Sequence, residues 1–268
     1  MSANDNTSRP DNQLAYQPAQ NFSVIYNLLL QTPYDDQARI LDLEQQLYGL
    51  LKQNPENIEG LILLMQQQIM RRQHQKAKAL AYKIWDLGGE IPPYLETLYL
   101  ENLLNLGLID MAAIVLKPLF DDLPAYKDAY YTQLFKYVLL SGNLFYLEKF
   151  TLELNHPQTR KALEDLISMY RYLKVEDQFR QLQQSLQEMY KDVILSCEYN
   201  LYTDRGFTDI EFILFIDTKI MDPDKLAERL NMQITAFCIA KNIPRLNNLN
   251  YVIRDISEHP LLRRPLPV

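Results

Sequence analysis

Glycine is scarce in this chain, 7 residues in 268, and the scarcity excludes a good deal. Turn-rich all-β folds and glycine-rich phosphate loops both draw on its freedom at positive φ. Cysteine is scarcer still. Cys197 and Cys238 allow one bridge at most and no disulfide framework, as fits a reducing compartment. Three histidines, His74, His156 and His259, are scattered, and none stands at metal-ligand spacing from a Cys, Asp or Glu cluster. No apolar run is long enough to cross a bilayer. Residues 1–21 are polar, with no apolar core of signal-peptide length, and are expected to form a disordered tail. A net charge of -7 gives no basic footprint for nucleic acid. These absences predict a cytoplasmic protein that needs no metal and no cofactor, binds no nucleic acid and does not insert into membranes.

What the chain does have is periodicity. Between Ile58 and Tyr190, apolar columns recur every 35 residues: Leu64, Tyr99, Leu134, Met169; Met65, Leu100, Phe135, Tyr170; Ala77, Ala112, Leu147, Leu182; Ile84, Leu119, Leu154, Met189. A fixed period of this size marks stacked helical repeats. Apolar spacing gives each unit two helices, broken near Arg71–Gln75, Gly107 and Gly142, where glycine tolerates the angles of a tight turn. Pro118 falls inside a predicted helix and should kink or shorten it. Upstream, Phe22–Gln31 and Asp35–Lys52 read as two helices that cap the open end of the array.

The two-helix unit, the small Ala77 and Ala112, the Gly107 turn and the closing Pro124 resemble the tetratricopeptide repeat family, in diverged form. The period is 35 where the family has 34, and Leu61, Glu96, Tyr131 and Leu166 stand where the family has a first-helix Trp. The resemblance implies a right-handed solenoid over residues 22–192 and a non-catalytic adaptor that holds a partner protein or peptide in a concave groove. By the family's register that groove takes Glu59, Ile62, Gln66 and Ile69 from the first copy and Tyr94, Thr97, Glu101 and Leu104 from the second. Ala129, Thr132, Lys136 and Leu139 follow, then Glu164, Ile167, Arg171 and Lys174. Its late copies are basic, which suits a partner segment of acidic character. Against this stands a plainer reading in which Glu101 and Lys136, one period apart, pair with each other. Pentatricopeptide repeats share the period and bind single-stranded RNA, but residues 1–192 carry 18 basic and 24 acidic side chains, the wrong balance for a phosphate track.

After Lys191 the pattern alternates. Val193, Leu195, Cys197, Tyr199 and Leu201 fall on one face of a strand. Thr203–Gly206 turns the chain and Ile210–Ile216 forms a second strand. Asp222–Pro223 starts a helix with Leu226, Leu230, Ile234, Phe237, Cys238 and Lys241 on one side. Leu249–Ile256 is a third strand. Residues 193–260 are thus a small α/β module, separable from the repeats, with 261–268 as a loose tail. Its sheet edges offer a route to self-association. An enzymatic alternative places a metal-dependent, nuclease-like hydrolase here, with Glu198, Asp217 and Lys219 converging on a cation that activates water.

Overall fold

A computed structural model describes residues 21–33, 36–204, 207–243 and 248–259. Most of the tail expected at 1–21, and all of the tail expected at 261–268, lie outside the described residues. The chain is mainly helical, 67%, with a small three-stranded C-terminal sheet. The helices are α1 (Phe22–Leu30), α2 (Gln37–Leu51), α3 (Ile58–Met70), α4 (His74–Leu87), α5 (Pro93–Asn105), α6 (Ile109–Asp121), α7 (Leu123–Tyr126), α8 (Tyr131–Ser141), α9 (Leu144–Leu152), α10 (Pro157–Tyr172), α11 (Glu176–Tyr190) and α12 (Pro223–Lys241). The strands are β1 (Ile194–Asp204), β2 (Phe207–Ile216) and β3 (Leu249–Asp255), followed by a 3-10 turn, Ile256–Glu258.

The 35-residue spacing reappears in the helices. α4, α6 and α9 start at His74, Ile109 and Leu144, one period apart, and α11 follows at Glu176. In each of these helices the small or branched column residue, Ala77, Ala112, Leu147 or Leu182, is fully buried. Successive helices pack in order, α3 on α4 and α5, α5 on α6 and α8, α9 on α10. Gly107 and Gly142 sit at φ +70° and +62° in the turns after α5 and α8, a region that L side chains rarely occupy. At Gly142 a Cβ would also lie 3.0 Å from Arg180 Cα on α11. The residue is needed twice over. Pro118 does not break α6, which continues to Asp121; the proline removes the N–H that would reach the Ile114 carbonyl.

In the sheet, β2 is central, antiparallel to β1 and parallel to β3, so α12 makes the crossover that a parallel pair requires. Asp222 caps α12 and Pro223 opens it, as expected. Its buried side is Leu226, Leu230, Ile234 and Cys238, whereas Lys241 is exposed. One expectation for β1 fails. The register shifts between Ile194 and Ser196, a bulge that inserts one residue and turns the following side chains over. Ile194, Cys197 and Tyr199 therefore join the main core, while Leu195 clusters on the opposite face with Phe215 and Ile256.

The sheet does not stand apart. Its helix-facing side (Cys197, Tyr199, Phe212, Leu214, Tyr251) belongs to one continuous core with the helices. α5 and α10 lie on β1, α10 also on β2, and α12 on β3 and α11. Tyr199 meets Phe135 edge-on at 4.8 Å. Asn248 Nδ2 donates to Tyr170 Oη at 2.8 Å, and Tyr251 Oη donates to Gln183 Oε1 at 2.8 Å. This shared core weighs against the expected separability of 193–260: residues 22–192 alone would leave Phe135, Tyr170 and Gln183 without these sheet contacts. A fragment ending at Asp192 should be molten or insoluble. Dye binding to exposed apolar surface and a non-cooperative thermal melt would report it, and a cooperative, monomeric melt would refute it.

The junction between helices and sheet is also titratable. His74 on α4 donates Nε2–H to the Lys191 carbonyl at 2.8 Å, and Lys78 Nζ donates to the same oxygen. Burial first, and the Lys78 charge second, lower the His74 pKa from 6.5 to about 4. The folded state thus keeps the ring neutral while the unfolded chain protonates it near pH 6.5. Stability contributed by this ring is complete above pH 6.5 and is lost as pH falls toward 4, to a total of about 3 kcal/mol. Denaturant titrations between pH 7 and 4 should show that loss, and a His74→Gln variant should show a shallower fall over the same window.

Candidate functional site

Six of the sixteen first-helix positions assigned to an open groove are buried: Ile62, Ile69, Leu104, Lys136, Leu139 and Ile167. Ile62, Leu104 and Leu139 are fully buried, and Lys136 is 1% exposed. Tyr94 is exposed and donates to Glu59 from one period on. Thr97 is half-buried and Thr132 exposed. Arg171 is exposed and bidentate to Glu148 at 2.7 and 2.8 Å, with Glu176 at 3.3 Å. Lys174 is exposed at φ 55°. A continuous groove with basic late copies is therefore not formed; the basic positions are spent on internal carboxylates or face solvent singly.

Lys136 is the centre of what replaces it. Its Nζ lies 2.5 Å from Glu101 Oε1, 3.1 Å from Asn105 Oδ1 and 3.7 Å from Glu198 Oε1. Burial alone would lower its pKa, but Glu101 and Glu198 outweigh that and hold it above the ordinary lysine value. Glu198 is likewise held below the ordinary carboxylate range: burial pushes it up, and the His259 hydrogen bond and the Lys136 charge overcome that push. Beside them the Cys197 thiol is raised to about 12 by burial, so it remains protonated and unreactive at neutral pH. Both cysteines are free. Asn105 Oδ1 also accepts from Cys197 N at 3.3 Å, which ties the edge of β1 to α5.

Next to this network lies a cleft of about 160 Å³. Tyr26, Leu29 and Leu30 of α1, Gln66 and Met70 of α3, and Leu98, Glu101, Asn102 and Asn105 of α5 form its walls, with Ser196, Glu198 and His259 from the sheet side. The spacings are those of single helix faces, i, i+3, i+4 and i+7. Sequence reasoning placed Gln66 and Glu101 here but not the α1, Ser196 or His259 contributions. His259 was read as an isolated histidine, and no local pattern links it to β1.

Ser196, His259 and Glu198 do not form a nucleophile relay. Ser196 Oγ at 3.1 Å and Glu198 Oε1 at 3.3 Å approach the same nitrogen, His259 Nε2, whereas a relay sets hydroxyl and carboxylate on opposite ring nitrogens. Nor does the expected metal triplet assemble. Glu198 is registered against Ile213, about 13 Å along the strand from Asp217 at 3.3 Å per residue. Asp217 accepts from its neighbour Lys219 N at 3.0 Å and lies 3.8 Å from Arg72. Among the described residues no group of three or more His, Cys, Asp or Glu is placed to hold a metal, and no helix is long and apolar enough to cross a membrane.

No protein-family model matches the chain, and no curated protein or solved structure matches it either.

Removing one member of a buried, compensated charge group leaves the others uncompensated, typically at a cost of about 3–5 kcal/mol. Lys136→Met should lower unfolding stability by that amount in urea titration. Adding Glu101→Gln should recover part of it. Full additivity of the two losses would show that the pair is not coupled.

Proposed function

We propose that the protein is a non-catalytic adaptor of diverged tetratricopeptide-like architecture that captures a partner protein at the cleft between α1, α3, α5 and β1. The helix pairs recurring at 35 residues support the repeat reading. The observation that carries the binding reading is the cleft itself. It brings the half-buried first-helix residues Gln66 and Glu101 together with Ser196 and Glu198 of β1, beside the buried Leu104, Lys136 and Leu139. Its apolar walls with a few convergent polar groups have the make-up of a recognition site. The non-catalytic part rests on engaged chemistry: the hydroxyl, imidazole and carboxylate at its floor bind one another in an arrangement without a relay.

The test compares variants of the full chain in affinity capture from the native cell extract. Leu98→Arg would fill the cleft with a charged side chain, and Tyr82→Ser alters an exposed tyrosine on α4. Partners bound by the unmodified protein and by Tyr82→Ser should be lost from Leu98→Arg, with the melting temperature of Leu98→Arg within a few degrees of the parent. Retention of every partner by Leu98→Arg would refute the cleft as the binding site.

A further inference from the structure

The cleft carries an unmet polar requirement as well as a charge preference. Asn102 is 1% exposed, lies on the α5 face that lines the cleft, and its Nδ2 has no hydrogen-bond partner. A buried amide donor left without an acceptor costs about 1–3 kcal/mol, so an incoming acceptor would recover that energy. Its neighbour on α5, Glu101, and Glu198 of β1 place two carboxylates beside the one ammonium of Lys136. Glu198 Oε1 takes both His259 and Lys136, while no described residue donates to its Oε2. The floor thus asks for one cation and, close by, one hydrogen-bond acceptor. The walls (Tyr26, Leu29, Leu98) ask for an apolar group, and about 160 Å³ is the size that takes a benzene-sized molecule.

We infer that the cleft holds the free amino terminus of a partner polypeptide whose first residue is apolar, with its ammonium on Glu198 and Glu101, its first carbonyl oxygen accepting from Asn102 and its side chain against α1. An α-ammonium and the following carbonyl lie three bonds apart, which suits donor and acceptor sites supplied by adjacent and facing residues. A free amino acid carries the same ammonium, but its carboxylate would be brought beside two others and repelled. A lysine or arginine side chain supplies the cation without the acceptor. The terminus of a chain supplies both. This inference rests on the reading of the cleft as the recognition site.

Calorimetric titration of the full-length protein tests it with four small probes: L-leucinamide, N-acetyl-L-leucinamide, L-leucine and 3-methylbutylamine. Leucinamide should bind. The acetylated form, which lacks the cation, should bind at least about tenfold more weakly, about 1.4 kcal/mol. L-Leucine and 3-methylbutylamine should fall below leucinamide by a similar factor. Glu198→Gln should weaken leucinamide about tenfold. Asn102→Leu, close in size, should bring leucinamide down to the level of 3-methylbutylamine; thermal melts confirm that each variant is folded. Equal binding of the acetylated probe, tightest binding of free leucine, or undiminished affinity in folded Glu198→Gln would overturn the assignment. So would silence from all four probes at millimolar concentration. If the probes fail while Leu98→Arg still loses the partners, the cleft reading stands and only the amino-terminus chemistry falls. If leucinamide binds while Leu98→Arg keeps every partner, the adaptor reading falls instead.

Discussion

A lysine ammonium with 1% exposure is the constraint to which the rest of the structure answers. An isolated charge out of water is untenable, and it persists only where counter-charges and hydrogen bonds surround it. Lys136 draws them from two distant parts of the chain: Glu101 and Asn105 on α5, and Glu198 on β1. The first lies 35 residues earlier and the last 62 residues later. Stacking of α5 on α8 and docking of the sheet are thereby parts of one electrostatic condition. Asn105 serves both, since the same oxygen accepts from Lys136 and from the Cys197 backbone.

The docking has a second lock just before the start of β1. Lys78 and His74 converge on the Lys191 carbonyl, and Arg72, held at φ 59° after α3, lies 3.8 Å from Asp217 and 3.9 Å from Asp255. These residues come from the α3–α4 turn and the first turns of α4. Early helices thus fix the ends of strands that follow more than a hundred residues later. The sheet is consequently held at its edge, its ends and its face, and the first-helix surface that would otherwise be open is its bed. The cleft that stays open lies between α1, α3, α5 and β1.

Much of this architecture is legible in the residues. Leu64, Met65, Ala77 and Ile84 set a helical period, Asp222–Pro223 marks a helix start, and the short apolar run Ile210–Ile216 reads as a buried strand. Local rules act over a few residues and are written locally. Even the Glu101–Lys136 pair was visible as opposite charges one period apart. Its burial was not, because the element that covers it is encoded some sixty residues later in a strand with no sequence tie to α8. The face of Leu195 was misread for a similar reason: a bulge changes parity without changing the alternation of residue types. His259 offered no signal at all. Its place beside Ser196 and Glu198 depends on the path of the chain after β3, which composition does not dictate.

Buried ion groups are seldom the most stabilising choice, since well-packed apolar residues of like volume often do as well or better. A chain that keeps Lys136, Glu101 and Glu198 together obtains something other than stability from them. One consequence is register. Only one position of β1 along α5 brings Glu198 to Lys136 while Asn105 meets the Cys197 backbone, and an apolar contact would tolerate a slip that a charge does not. Another is that Glu198 has two oxygens and the network uses one. The carboxylate that neutralises the interior lysine also lines the cleft, so the position of the proposed binding group is set by the same contacts that dock the sheet. A recognition group anchored in this way needs little ordering on binding. Loosening the sheet would displace it, so under the proposed function one side chain would join fold integrity to recognition.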